Sequence, residues 1–173
     1  MLKAFETGLA KLSLRDGETV QLIRHTSDGD PARLARQAEE IVRQKPDVIF
    51  AGFTPAVIAL KRHTTSIPVV FAGVSDAAEI GASSELARPD RNFTGLITIN
   101  RELMAKRLEL LKRAVPTLST IDYLANPLYG LHQPQLKDME GAAQRIGVSL
   151  IVAEAHKLDE IEAAFAHLHA HGA

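Results

Sequence analysis

Two short stretches of this chain, Val48-Ile49-Phe50-Ala51 and Val69-Val70-Phe71-Ala72, are apolar at every position, and each runs straight into a glycine. A strand with one wet face alternates apolar and polar residues. A strand that is apolar throughout is covered on both faces, the condition of a strand inside a parallel sheet flanked by helices. The flanks agree with that reading. Asp30-Pro31 and Thr54-Pro55 each place a capping side chain ahead of a proline, whose fixed φ and missing N–H suit the first turn of a helix.

The rest of the chain switches between the same two periods. Leu2, Phe5, Leu9 and Leu12 predict a helix, and Thr19–His25 a strand with Val20, Leu22 and Ile23 as its apolar members. Leu34, Ala38 and Ile41 share one face of the helix opened by Asp30, which stops before Lys45-Pro46. A strand over 47–52 is followed by a short helix to Arg62, then by a strand over 67–73 with Pro68 at its start. Residues 75–91 read as a loop with a short helix, and 93–99 as a strand. Asn100 caps a helix striped by Met104, Leu108, Leu111 and Val115. A strand over 119–125, a helix carrying Leu136, Met139, Ala143 and Ile146 and ended by Gly147, and a strand over 148–153 follow. Leu158, Ile161, Phe165 and Leu168 stripe the last helix. Alternation of this kind is the pattern of βαβ units in a doubly wound α/β fold.

Composition removes several classes of function. With 20 basic and 21 acidic side chains in 173 residues the net charge is −1, which gives no support for binding nucleic acid. The absence of cysteine excludes disulfides, thiolate metal sites and a cysteine nucleophile. No apolar run approaches the ~20 residues that span a bilayer, so no membrane insertion is expected. The amphipathic start does not have the form of an export signal, so the chain as written is expected to be cytoplasmic. Phosphate-loop, dinucleotide and hydrolase-elbow motifs are missing. His167 and His171 are read as part of a solvated terminus, and Lys106, Arg107, Lys112 and Arg113 as the wet face of a helix. No residue is assigned to catalysis, to a metal or to a cofactor.

Ligands of open α/β sheets bind beyond the carboxyl ends of the strands, where free N–H groups of helix N-termini receive carboxylates and phosphates. Those ends carry Phe53, Thr54, Ser75, Asp76, Asn100, Asn126 and Tyr129. The hydroxyls of Thr54 and Ser75 add donors, Asp76 can pair with an ammonium group, and Phe53 or Tyr129 can pack on an apolar side chain. Together they suit a small zwitterion. Thr54, Asn100 and Asn126 have an equally simple reading as caps and turn residues that need no ligand.

Several segments carry a resemblance. Lys45-Pro46-Asp47-Val48-Ile49-Phe50-Ala51-Gly52-Phe53-Thr54-Pro55-Ala56, Ile67-Pro68-Val69-Val70-Phe71-Ala72-Gly73-Val74-Ser75-Asp76, Leu86-Ala87-Arg88-Pro89 with Asn92-Phe93-Thr94-Gly95-Leu96, Lys106-Arg107-Leu108-Glu109-Leu110-Leu111-Lys112 with Val115-Pro116, and Asn126-Pro127 resemble, in order and spacing, a family of ABC transporter substrate-binding proteins of tryptophan/tyrosine type. The resemblance implies a type I periplasmic-binding-protein fold, in which two doubly wound parallel-sheet lobes close on a small molecule, an amino acid in some members, and then dock on a membrane permease. It implies that residues 1–92 form most of the first lobe, lacking its first strand, that 93–100 cross over, and that 101–173 begin the second lobe. Both lobes would be incomplete, binding by this chain alone weak, and self-association through open sheet edges expected. Location by resemblance is the periplasm or cell surface. An effector-binding domain of a regulator and a small α/β enzyme are the alternatives. The chain departs from the family pattern at Phe53, which replaces a glycine, at Ala77, which replaces a proline, and at Asp90-Arg91, which replace two glycines.

Overall fold

A computed structural model of the protein describes residues 1–75, 81, 88, 89, 91–100 and 102–170. It contains two parallel sheets. The first is built of β1 (Ile49–Gly52), β2 (Val69–Val74) and β3 (Phe93–Ile97) in that order, and the second of β4 (Thr120–Ala125) and β5 (Ser149–Glu154). The helices are α1 (Leu2–Lys11), α2 (Pro31–Arg43), α3 (Phe53–Lys61), α4 (Glu102–Ala114), α5 (His132–Arg145) and α6 (Ile161–Ala170). The fold is α/β, as the alternating periods predict. The predicted loop over 75–91 falls largely outside the described residues.

Helices cover the first sheet from two sides. Ile49 and Ala51 of β1, Val69 and Phe71 of β2 and Phe93 of β3 point to one face, where they are buried with Ala38 of α2 and Val57 and Leu60 of α3. On the opposite face Phe50 stacks on Phe5 of α1, with ring centroids 4.0 Å apart and planes 8° from parallel. The capping prediction for α2 holds. Asp30 Oδ1 accepts from the N–H groups of Ala32 and Arg33 at 2.8 and 3.2 Å. Pro68 stands immediately before β2, and its carbonyl accepts from Ile49 N–H at 2.9 Å, so it joins the ladder through the one polar group it retains.

The second sheet is a βαβ unit, β4–α5–β5, clothed the same way. Ile121 of β4 is buried with Leu108 of α4 and Met139, Ala142 and Ala143 of α5, whereas Ala153 of β5 turns to the other face and is buried with Ala164 and Leu168 of α6. The predicted stripe of the last helix is corrected here. Phe165 is 48% and Leu158 86% exposed, because Leu158 belongs to a preceding 3-10 turn and the inward row is Ile161, Ala164 and Leu168.

The predicted strand over 19–25 does not form. Its backbone contributes a single bridge, Asp16 to Val20, and Ile23 is exposed. The physical reason is that a strand exists only as one member of a ladder, and β1 pairs with β2 alone among the described residues. Polar contacts pin the segment instead. Asp16 accepts from Leu22 N–H, and the Arg24 guanidinium bridges Asp16 and Glu6 at 2.8 and 2.7 Å.

Candidate functional site

The carboxyl ends of β1, β2 and β3 face a cavity of about 220 Å³ lined by Phe53, Thr54, Pro55, Gly73, Ser75, Thr98, Asn100 and Tyr129. Five of the seven candidate residues therefore come together. Asp76 lies outside the described residues. Asn126 does not line the cavity, and its Oδ1 accepts from Leu128 N–H at 2.9 Å, which closes its own turn.

Thr54 is 1% exposed and is not the helix cap its sequence position suggests. Its Oγ1 accepts from the N–H of Ser75, across from β1 to the end of β2, at 3.2 Å. Tyr129 completes a cluster of hydroxyls: its phenol lies 2.9 Å from Ser75 Oγ and donates to Thr54 Oγ1 at 3.4 Å. Tyr129 belongs to the loop between β4 and α5, so the second sheet supplies one wall of a cavity at the first. The same loop is firmly seated. Leu131, 3% exposed, lies in the core of the first sheet, and a Cβ on Gly130 would stand 2.7 Å from Ile58 Cδ1. Burial, with the neighbouring Tyr129 phenol adding to it, raises the Tyr123 phenol above its ordinary value of 10.0.

Phe53, Pro55 and Gly73 add an apolar part to the lining. Phe53 opens α3 with φ +66°, a left-handed backbone that a side chain with a Cβ adopts at a cost of about 1–2 kcal/mol. Its ring lies over Gly73, where a Cβ would meet Phe53 Cδ1 at 3.1 Å and Met1 Cε at 3.2 Å. Gly73 has φ +74°, so both conformation and space require glycine there. At the rim Asn100 Oδ1 accepts from Arg107 Nη2 at 3.0 Å, which brings a guanidinium from α4 to the cavity's edge. In sequence Arg107 reads only as a solvated face.

Sequence reasoning missed Thr98 at the end of β3 and a buried histidine at the carboxyl end of the second sheet. Thr98 N–H donates to Val74 carbonyl at 2.7 Å, which carries the β2–β3 ladder to the cavity's edge. His132, 3% exposed, places Nε2 3.2 Å from the Glu154 carboxylate. Thr98 is recoverable from its place beside Asn100 at a strand end. Nothing in the spacing of His132 and Glu154 marks them as a pair.

Comparison with known proteins gives the cavity its context. The family model described as ABC transporter substrate binding protein matches residues 1–173. The chain belongs to this family. It is 28% identical over 124 residues to a tyrosine-binding protein of Clostridioides difficile, an alignment covering 72% of this chain and 35% of that protein. A conserved domain protein of Vibrio cholerae superposes with a TM-score of 0.86 at 26% identity, over 96% of this chain and 55% of the other. An ABC domain from Streptococcus pneumonia, solved in complex with L-Trp, superposes with a TM-score of 0.82 at 23% identity and the same coverage. The chain thus spans about a third to a half of the length of these relatives. The fold is that of the type I periplasmic binding proteins. Among the described residues no helix of this family member is long and apolar enough to cross a membrane.

Proposed function

We propose that this chain forms the ligand-holding part of a substrate-binding protein of an ABC uptake system, acting in the periplasm or at the cell surface, and that its ligand is a small carboxylate with a flat apolar side. Aromatic amino acids are the first class to test. The observation that carries the reading is the hydroxyl cluster of Thr54, Ser75 and Tyr129, which lines a cavity of about 220 Å³ together with Phe53. That volume is below the ~300–1,000 Å³ of pockets for drug-sized molecules and matches an amino-acid-sized guest. The hydroxyls and the Asn100 amide, with Arg107 bonded to Asn100, supply donors for a carboxylate, and Asp76, the next residue in sequence after Ser75, is the carboxylate we assign to an ammonium group.

In this reading residues 1–92 form most of the first lobe, 93–100 the crossing and 101–173 the beginning of the second lobe, and the ligand favours the closed arrangement because it touches groups from both. The closed form is what a permease recognises. Binding is favoured over catalysis because the Ser75 hydroxyl is bonded to the Tyr129 phenol, without an imidazole or carboxylate base among its described partners. The Clostridioides difficile relative is a tyrosine-binding protein, the Streptococcus pneumonia domain was solved with L-Trp, and a solute binding protein of Rhodopseudomonas palustris with the same fold was solved with 3,4-dihydroxy benzoic acid.

An NMR and calorimetric titration of the chain with L-tyrosine, L-tryptophan, 3,4-dihydroxybenzoate and L-alanine tests it. Saturable binding of at least one aromatic carboxylate is expected, in the high-micromolar to millimolar range, roughly −4 to −6 kcal/mol. Tyr129→Phe with Ser75→Ala should weaken it at least tenfold. Binding that survives the double substitution, or none by any of the four compounds, overturns the assignment.

A further inference from the structure

Four described residues other than glycine have positive φ: Ser13, Asp28, Lys45 and Phe53. Ser13 and Lys45 follow helix ends and Asp28 sits in a turn, where such conformations commonly occur. Phe53 is different in kind. A bulky aromatic side chain is among the least suited to the left-handed region. Burial does not explain its presence, since the residue is 58% exposed and lies outside the core of the first sheet. Its ring instead forms the apolar wall of the cavity, seated over Gly73 at the ends of β1 and β2. Backbone strain of this sort persists where it shapes a site.

We infer that Phe53 is the size-determining residue of this cavity, its strained backbone holding the ring in space that a larger ligand would need. The inference rests on the binding function proposed above and adds to it which ligands are admitted. Phe53 shares the cavity with Ser75 and Tyr129, so a single-ring carboxylate is the guest expected, whereas a fused bicycle such as an indole needs the space the Phe53 ring fills. Glycine at position 53 would do two things at once: relax the backbone and open the space of a benzyl group. Alanine would do only the second, since it keeps a Cβ on the same φ.

The test compares the wild-type chain with Phe53→Gly and Phe53→Ala, by thermal unfolding and by titration with L-tyrosine and L-tryptophan. The wild type should prefer L-tyrosine at least tenfold. Both variants should bring L-tryptophan to within about threefold of L-tyrosine or better. Phe53→Gly alone should also melt about 2–4 °C higher. An unchanged preference in both variants overturns the size filter while leaving the binding function standing. A Phe53→Gly melting temperature at or below that of Phe53→Ala overturns the strain that holds the ring. If neither ligand binds any of the three proteins, the binding function fails and the filter with it.

Discussion

A methyl group added at Gly95 would land on the carbonyl oxygen of Phe71 in the neighbouring strand β2. Backbone cannot step aside as a side-chain tip can, so Gly95→Ala should lower stability by about 3 kcal/mol or abolish folding. Gly147 is the control. Its φ is +68° but nothing stands within 4 Å, so Gly147→Ala should cost only about 1 kcal/mol from conformation. Urea unfolding of the two variants separates them, and equal losses would show that contact at Gly95 is unimportant. At this scale the sequence is legible in kind but not in direction. Thr54, Ser75 and Tyr129 are findable because strand ends of a parallel sheet are where ligands go. That Thr54 bonds to Ser75 instead of capping its own helix is not, since a cap and a cross-strand bond use the same hydroxyl. Asn126 has the same ambiguity and resolves the other way, into a turn.

Helices were the most legible elements because their start signals are local. Asp30-Pro31 announces α2 with a cap and a fixed φ that no distant residue alters. Strands differ, and residues 19–25 show how. Val20, Leu22 and Ile23 carry a strand's pattern, but the pattern describes what the chain would do beside a partner, and no described strand lies beside it. The segment depends on Asp16 and Arg24 instead. The Leu22 N–H first, and the Arg24 guanidinium second, hold the Asp16 carboxyl below its ordinary value of 3.8. A carboxyl lowered on folding stabilises the fold above 3.8 and ceases to do so as pH falls through its folded value. Acid should therefore loosen residues 16–24 before the sheets unfold. The Leu22 amide resonance should report it by NMR in a step that Asp16→Asn removes, and a Leu22 amide that ignores both acid and substitution would refute the anchoring role.

At the scale of the whole molecule, the loop between β4 and α5 joins the two sheets more firmly than a hinge alone would. Leu131, carried by the second sheet's connection, completes the core of the first. Leu131→Ala should cost about 2–5 kcal/mol, a core-sized loss from a loop residue. Chemical unfolding measures it, and a loss below ~1 kcal/mol would mean the loop merely rests on the surface. This junction was illegible in sequence, because Leu131 sits in no periodic pattern and the core it joins includes Val57 and Leu60, more than 70 positions earlier. The seating of Leu131 also bears on anyone who would build chimeras from this family. A graft that joins the second half of one protein to the first half of another at residue 100 would draw the leucine out of its socket and leave a hole in the host. The seam that respects the packing falls beyond residue 131, so that leucine and socket travel together.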